Sequence, residues 1–204
     1  MKYLIIPFIF LLVTPSFSDA QRNSPAGADQ VGLSISTLGS NDVVSFAKIM
    51  GGASYLGDGY YTLGISYLHP LTRILDLESG LEYSRYKITI RPEWMPGMSL
   101  TDQTANFSLI SLPVSLRLNF LRYFFLSGGF FLDADASSSM PIDSQSGIGA
   151  NLGVGFKYSF KGRISVFVNP YQKVHSIVYF SNPGSSHQHL WDSGFRFGCL
   201  FRLK

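Results

Sequence analysis

The feature that most constrains this chain is a strict two-residue alternation between apolar residues and small or polar ones. The clearest stretch runs from Ile148 to Phe160, and its odd positions carry only Gly, Asn, Lys and Ser. Its even positions read Ile148, Ala150, Leu152, Val154, Phe156, Tyr158 and Phe160. Successive side chains of a β-strand point to opposite faces, whereas a helix repeats every 3.6 residues. The stretch is therefore predicted to be a strand with one apolar face.

The same alternation recurs along the chain and predicts about eight strands in total. It is clear over Tyr61–Tyr67, Leu75–Tyr83, Ile110–Phe120 and Trp191–Lys204, and weaker over Val31–Thr37, Phe124–Ala134 and Ile164–Ser176. After Arg85 the apolar residues switch parity, which a β-bulge or a strand leaving a membrane would explain. Pro113 and Pro170 lie inside two predicted strands, and each removes a ladder donor, so local distortion is expected there.

The connections between these segments alternate between long and short. Long connections are predicted at Leu38–Gly59, Arg91–Ala105, Ser137–Gln145 and Val178–Gln188, and short ones at His69–Ile74, Leu121–Arg122 and Lys161–Arg163. Outer-membrane barrels have short periplasmic turns and longer extracellular loops. An even number of strands then leaves both termini in the periplasm.

The N-terminus has the pattern of a secretory signal peptide. Lys2 precedes an apolar run from Tyr3 to Val13, and small residues lead to Ser18-Asp19-Ala20. The run is too short for a bilayer-spanning helix, which needs about 20 residues. We therefore predict a signal peptide over residues 1–20, cleaved before Gln21, and one barrel domain over residues 21–204.

Alternation alone does not say whether the apolar face meets lipid or a soluble core, and a lipocalin-like secreted barrel is the structural rival. The polar face carries mostly Gly, Ser, Thr and Asn, which suits a narrow lumen better than a soluble exterior. Charged residues make up only 14% of the chain and aromatics 15%, against about 25% charged residues in ordinary soluble domains. Aromatics collect near the short turns, as an interfacial girdle requires: Phe120, Tyr123, Phe124, Tyr158, Phe160 and Phe201.

We therefore predict an all-β fold, an eight-stranded antiparallel up-and-down transmembrane β-barrel in the outer membrane of a Gram-negative bacterium. The net charge of +3 is small and scattered, which gives no indication of nucleic-acid binding. The one cysteine, Cys199, excludes an internal disulfide framework.

One segment also carries a family resemblance. The string ISLPVSLRLNF at Ile110–Phe120 resembles a recurrent strand of the PorT-like outer-membrane β-barrel family of Bacteroidetes. Ser127-Gly128-Gly129 and the Gly-rich segment Ile148–Tyr158 stand where that family places similar sequence. The resemblance implies the barrel architecture. Some members are implicated in type IX protein secretion and many have no assigned role, so a secretion role here would follow only by analogy of fold.

Charged residues on the predicted lumen face form the main candidate site. They come from several strands: Asp76, Glu78, Glu82, Arg117, Lys157 and Arg196, with Arg202 beyond them. Side chains just fill the interior of an eight-stranded barrel, and buried charges there must be paired. We predict a lumen-filling network and a structural or accessory role in the cell envelope. The alternative is a narrow OmpW-like channel for small solutes or ions.

Several histidines and their neighbours are the candidates for hydrolytic or metal-binding chemistry. A hydrolase would need a Ser or Asp beside a His near the outer rim, and the candidates are His175-Ser176, His187, His189 and Asp192. Two His alone are a poor metal signal. We predict no catalytic residues, no metal and no cofactor.

The expected partners are outer-membrane lipid, lipopolysaccharide and other envelope proteins. Apolar groups predicted on the long loops suit such contacts: Val43-Val44-Ser45-Phe46-Ala47, Trp94, Met95 and Met98.

Overall fold

The computed structural model describes residues 28–45, 54–92, 101–137, 140–160, 162–180 and 187–203. Eight strands follow one another: β1 (Gln30–Ser45), β2 (Ser54–Pro70), β3 (Leu75–Arg91), β4 (Gln103–Phe120), β5 (Phe124–Asp135), β6 (Gly147–Ser159), β7 (Ile164–Tyr179) and β8 (Gln188–Arg202). Each strand pairs antiparallel with the next, and β1 pairs with β8 to close the ring. This confirms the predicted eight-stranded antiparallel up-and-down barrel.

The two faces of the barrel wall differ as the alternation predicts. Outward side chains are apolar and exposed, as with Ile65 (60%) and Val114 (54%), whereas inward neighbours such as Ser115 and Arg117 are buried. An apolar outer surface with every backbone edge paired is the architecture that crosses an outer membrane as a barrel. The apolar face therefore meets lipid, and the protein lies in the outer membrane. The lipocalin-like alternative, with its apolar face inward, does not describe this wall.

Aromatic side chains surround the end of the barrel that carries the short turns. The Phe120 and Phe124 rings stack at 6.1 Å between centroids, Tyr123 stacks on Phe156 at 5.6 Å, and Tyr158 meets Phe160 edge-on. Amphipathic rings at this level form an interfacial girdle. No helix among the described residues is long and apolar enough to cross a membrane.

Short and long connections alternate as predicted, but the strands reach further into the long ones. The short connections are 71–74, 121–123 and 160–163, and the long ones are 46–53, 92–102, 136–146 and 180–187. The predicted loop Leu38–Gly59 is wrong in extent, because β1 continues to Ser45 and β2 begins at Ser54. Val43 is a strand residue that packs against a buried cluster. Phe46, Ala47, Trp94, Met95, Met98 and residues 1–20, where a signal peptide is predicted, lie outside the described residues.

The two prolines interrupt the ladder locally without shifting its register. Pro113 pairs with β5 but has no partner on β3, and Pro170 pairs with β8 but has no partner on β6, as their missing ladder donors predict. Register shifts fall instead between Thr37 and Ser40, Gly57 and Gly59, and Ile148 and Ala150. At the last one, three residues of β7 face Gly149 alone, and Ser176 among them has a φ of 53°. This β7 bulge turns Ser176 inward.

The change of parity in β3 has a different cause from a bulge. Inward and outward positions alternate without a break from Asp76 to Ile88, so only the chemistry of the inward face changes. It is polar near the short turn, at Glu78 and Glu82, and apolar toward the long connection, at Tyr86 and Ile88. The strand therefore leaves the membrane and lines an apolar core at its extracellular end.

Glycines on the lumen face make room for aromatic rings. A Cβ on Gly155 would collide with the Phe125 ring, and one on Gly198 would meet Phe167 at 2.5 Å. Both rings are buried inside the barrel. Packing an aromatic side chain across a glycine lets the narrow barrel hold bulky groups without voids.

Candidate functional site

The centre of the lumen is a pair of arginines around one glutamate. Arg117, which is fully buried, donates from Nε (3.1 Å) and Nη2 (2.7 Å) to the same Glu78 oxygen. Arg196 Nη1 lies 3.2 Å from the other Glu78 oxygen and 3.8 Å from Glu82 Oε1. Charge-assisted bonds of this kind are about twice as strong as neutral ones. The three strands β3, β4 and β8 are thereby linked across the barrel axis.

A third cation completes this network. Lys173 on β7 pairs with Glu82, and both side chains are buried. The network thus holds two carboxylates and three cations: Glu78, Glu82, Arg117, Lys173 and Arg196. We call this set the central network. Its mutual pairing offsets the cost of burying each charge, which for an unpaired ion is several kcal/mol.

The periplasmic end is closed by apolar side chains and by a bridged pair. Arg117 lies over the Phe125 ring at 4.2 Å from its centroid, a cation–π geometry. Leu68, Phe125, Phe167 and Leu200 form a buried cluster there. Asn119 accepts from Lys157 Nζ at 3.1 Å and donates to Asp76 at 2.8 Å. Asp76 and Lys157 are therefore joined through an amide rather than paired directly.

A histidine sandwiched between two aspartates lies on the extracellular side of the central network. His175 Nδ1 is 2.7 Å from Asp133, and its Nε2 is 3.0 Å from Asp192. Tyr86 donates to Asp192 at 2.6 Å, and Ser111 donates to Asp133 at 2.5 Å. All of these side chains are buried. The arrangement ties β3, β4, β5, β7 and β8 together with hydrogen bonds that leave no path for a substrate.

The extracellular mouth is filled by an apolar cluster and by the segment 140–146. The cluster contains Tyr60, Tyr86, Ile88, Phe107, Leu109, Ile142, Tyr171 and Leu190. Gln145 is fully buried; it donates to the Gln188 carbonyl at 2.8 Å and accepts from Leu190 N at 3.1 Å. These bonds hold the segment, with Ile142, inside the mouth.

A Ser–His contact at the rim is the nearest approach to a hydrolytic arrangement. Ser176 Oγ lies 3.0 Å from His187 Nε2, and Asp143 Oδ2 lies 3.9 Å from His187 Nδ1. We call these three residues the rim cluster. The third distance is too long for a hydrogen bond, and Ser176 is fully buried, so no substrate reaches its hydroxyl in this conformation.

His187 and Asp29, at opposite ends of the barrel and outside the membrane-spanning segments, have shifted pKa values. Burial, and then the neighbouring His189, hold the pKa of His187 below its usual 6.5. At the periplasmic end, hydrogen bonds from Tyr67 and His69 lower the pKa of Asp29. His187 is therefore neutral at physiological pH, and Asp29 is ionised.

The structure brings four of the predicted lumen residues into direct contact: Glu78, Glu82, Arg117 and Arg196. Asp76 and Lys157 stand apart from them, bridged by Asn119. Sequence reasoning missed Lys173 and Asp133, and it weighed His175 only as a catalytic candidate. The lumen face of β7 was not recognised in the sequence because Phe167 and Tyr171 point inward. Aromatic residues on the inward face interrupt the alternation of polar and apolar residues. Counting by twos from Asn169 would have found Lys173 and His175.

A small cavity lies in the middle of the lumen. It has a volume of about 10 Å³ and lies between Ser115, Ser127, Asn151, Asn169, Lys173 and Arg196. That is roughly the space that one water molecule needs. Among the described residues, no group of three His, Cys, Asp or Glu side chains is arranged to hold a metal ion.

Comparison with known proteins gives likeness of shape only. No protein-family profile and no curated protein matches the sequence. The outer membrane protein OprG from Pseudomonas aeruginosa is 15% identical with a TM-score of 0.47, covering 87% of this chain and 96% of its own. The N-terminal β-barrel domain of OprF from the same organism is 17% identical (TM-score 0.39; 86% and 99% covered). The translocator domain of the autotransporter NalP from Neisseria meningitidis is 12% identical (TM-score 0.36; 91% and 92% covered).

Proposed function

We propose that this outer-membrane barrel is a closed structural component of the cell envelope. In this role it acts on other envelope proteins through its extracellular loops and periplasmic turns. The observation that carries the proposal is the central network, in which Glu78 is hydrogen-bonded to Arg117 and ion-paired with Arg196 across the lumen. A barrel whose interior is filled cannot act through its interior, so its action must lie at its ends and its outer wall.

Three successive layers support a lumen that does not conduct. The Phe125 and Phe167 cluster lies at the periplasmic end, the central network lies in the middle, and the Ile142 and Leu190 cluster fills the mouth. The narrow OmpW-like channel is the weaker candidate, because a solute would have to break buried ion pairs and displace two apolar layers. Leaving one buried charge unpaired costs about 3–5 kcal/mol.

We also propose that the chain is not an enzyme. The buried Ser176 hydroxyl and the 3.9 Å separation of His187 from Asp143 support this view. The His175 group serves as a cross-link between strands, since each of its ring nitrogens already faces a carboxylate.

The resemblance to the PorT-like family makes the components of protein secretion the first partners to test. A tagged barrel would be cross-linked in intact outer membranes, purified, and its cross-linked partners quantified. A matched variant has the exposed turn residues Arg73 and Arg163 both changed to Glu. It tests whether a partner binds through the periplasmic turns. A stoichiometric envelope protein supports the role. Solute flux through the purified barrel alone, with no partner recovered, would contradict it.

A further inference from the structure

A groove interrupts the outer wall between β1, β5, β6, β7 and β8, and the closed lumen does not explain it. It has a volume of about 610 Å³, within the range of small-molecule sites. Its sides and floor come from five strands and include Leu38, Leu126, Leu152, Val154, Pro170 and Phe195. We call it the side groove. Most of its lining is apolar and outward-facing, so it opens to lipid and not to the lumen.

Backbone irregularities account for the groove. The register between β1 and β8 shifts between Thr37 and Ser40, and Leu38 there has a φ of 57°. Gly39 and Gly194 place bare backbone against each other at this point, since a Cβ on Gly39 would lie 2.5 Å from Gly194 Cα. The barrel wall carries no side chain at this point. The larger outward side chains of Leu152, Val154 and Phe195 surround the gap and form the sides of the groove.

A polar patch lies at one end of the groove. Gln172 and Ser193 are paired across β7 and β8, and both line the groove. The Ser193 hydroxyl already shares a hydrogen bond with Ser40 Oγ at 3.0 Å. Among the described residues, the exposed Gln172 side chain has no hydrogen-bond partner. The next outward pair toward the extracellular end is Val174 with Trp191. Because tryptophan marks the membrane interface, Gln172 lies just inside the hydrocarbon, where an unpaired amide is costly.

We propose that the side groove binds one acyl chain of a lipid A molecule of the outer leaflet. The free Gln172 amide donates to the ester or hydroxyl oxygen on the third carbon of that chain. Lipid A fits better than a phospholipid because its chain oxygens are separated from the phosphates by a sugar. The exposed Asp42 carboxylate is paired opposite Trp191, and it would repel a phosphate held close to Gln172. This site is independent of the envelope role proposed above, since it needs only the orientation of the barrel in the membrane.

Native mass spectrometry of the full barrel in detergent tests the site with purified lipid A and, separately, phosphatidylethanolamine. We expect one lipid A per barrel and weaker binding of phosphatidylethanolamine. Val154→Trp fills the groove and should abolish that binding. Leu81→Trp on β3 is the matched control, since Val154 is 47% exposed and Leu81 is 50% exposed. It should bind lipid A as the unmodified barrel does.

A second variant tests the polar patch without disturbing the fold. Gln172→Leu exchanges a lipid-facing amide for an apolar group, so the barrel should stay folded, as checked by its heat-modifiable gel mobility. Its affinity for lipid A should fall about fivefold, the loss expected from one neutral hydrogen bond. Equal loss with Val154→Trp and Leu81→Trp, unchanged affinity with Gln172→Leu, or equal binding of phosphatidylethanolamine would each overturn the proposal.

Discussion

Arg117 is the residue on which the lumen most depends. Its guanidinium is fully buried, bonded twice to one Glu78 oxygen and stacked over Phe125. Arg rather than Lys suits this position, because a planar fork can bond a carboxylate and lie flat on a ring at the same time. Removing it leaves Glu78 with Arg196 as its remaining cation.

Replacing Arg117 should therefore cost more than any surface charge. Arg117→Leu is expected to lower the free energy of unfolding by about 3–5 kcal/mol, because a partly uncompensated carboxylate stays buried. Urea unfolding of the barrel in lipid vesicles, followed by gel mobility, measures it. Arg163→Leu in the exposed 160–163 turn is the matched control and should change stability by less than about 0.5 kcal/mol. Equal stability of the two variants would show that the central network contributes nothing.

His187 gives the extracellular rim a defined response to pH. Its pKa is lower in the folded protein than the 6.5 of an unfolded chain. Above pH 6.5 the ring is neutral in both states, so its contribution is complete there. As the pH falls below 6.5 the unfolded or opened segment takes up a proton first, and the stability of the rim decreases.

We accordingly expect hydrogen exchange of the amides at 187–190, corrected for intrinsic rate, to quicken between pH 7.5 and pH 5. His187→Phe keeps a ring against Tyr179, which stacks on His187 at 4.5 Å, but cannot titrate. The pH dependence should disappear in that variant. It should persist in His69→Gln, because His69 lies at the opposite end of the barrel. Persistence in His187→Phe would assign the response to another group.

At the scale of elements, alternation predicted which strands exist and which face meets lipid. It did not predict how far each strand is displaced along the barrel axis relative to its neighbours. Glu78 and Arg117 meet as parity indicates, whereas Asp76 and Lys157 are joined through Asn119. The relative register of the strands determines which inward side chains come into contact. That register depends on bulges such as the one at Ser176. A bulge at Ser, with no glycine or proline beside it, leaves little trace in sequence. Pro113, which is conspicuous in sequence, causes no register shift.

Among the described residues, the segment 140–146 closes the mouth, and Gln145 is one of its anchors. Gln145→Ala removes bonds to Gln188 and Leu190 and leaves their backbone groups unpaired, which costs about 1–3 kcal/mol for each group. We expect faster proteolytic cleavage within this segment while the barrel itself stays folded. Gln103→Ala, at an exposed glutamine that begins β4, is the control. If both variants are cleaved at the rate of the unmodified barrel, the segment is held without the Gln145 side chain, by Ile142 packing and by the Asp143 and Ser144 hydrogen bonds.

At the scale of the whole molecule, the barrel separates two environments with opposite rules. Its outer wall is apolar and needs only the correct length and closure, whereas its inner wall must satisfy every polar group within a space that side chains fill. The same strands carry both surfaces, so each residue is committed to one by its parity. An interior filled in this way leaves the ends of the barrel and the side groove as the places where other molecules bind.

A closed lumen predicts that the barrel does not conduct ions. Opening it should require substitutions that remove opposite charges at its centre together. The purified barrel should show no single-channel steps in planar bilayers. Glu78→Ser combined with Arg117→Ser removes the largest central side chains together, without leaving either charge of that pair buried alone. Adding Phe167→Ala thins the periplasmic cluster and adding Ile142→Ala thins the mouth cluster, so this quadruple variant should conduct small ions. A control with Arg73→Ser and Arg163→Ser, both in exposed turns, should remain silent. Steps in the unmodified barrel, of the same size as in the quadruple variant, would instead support the channel.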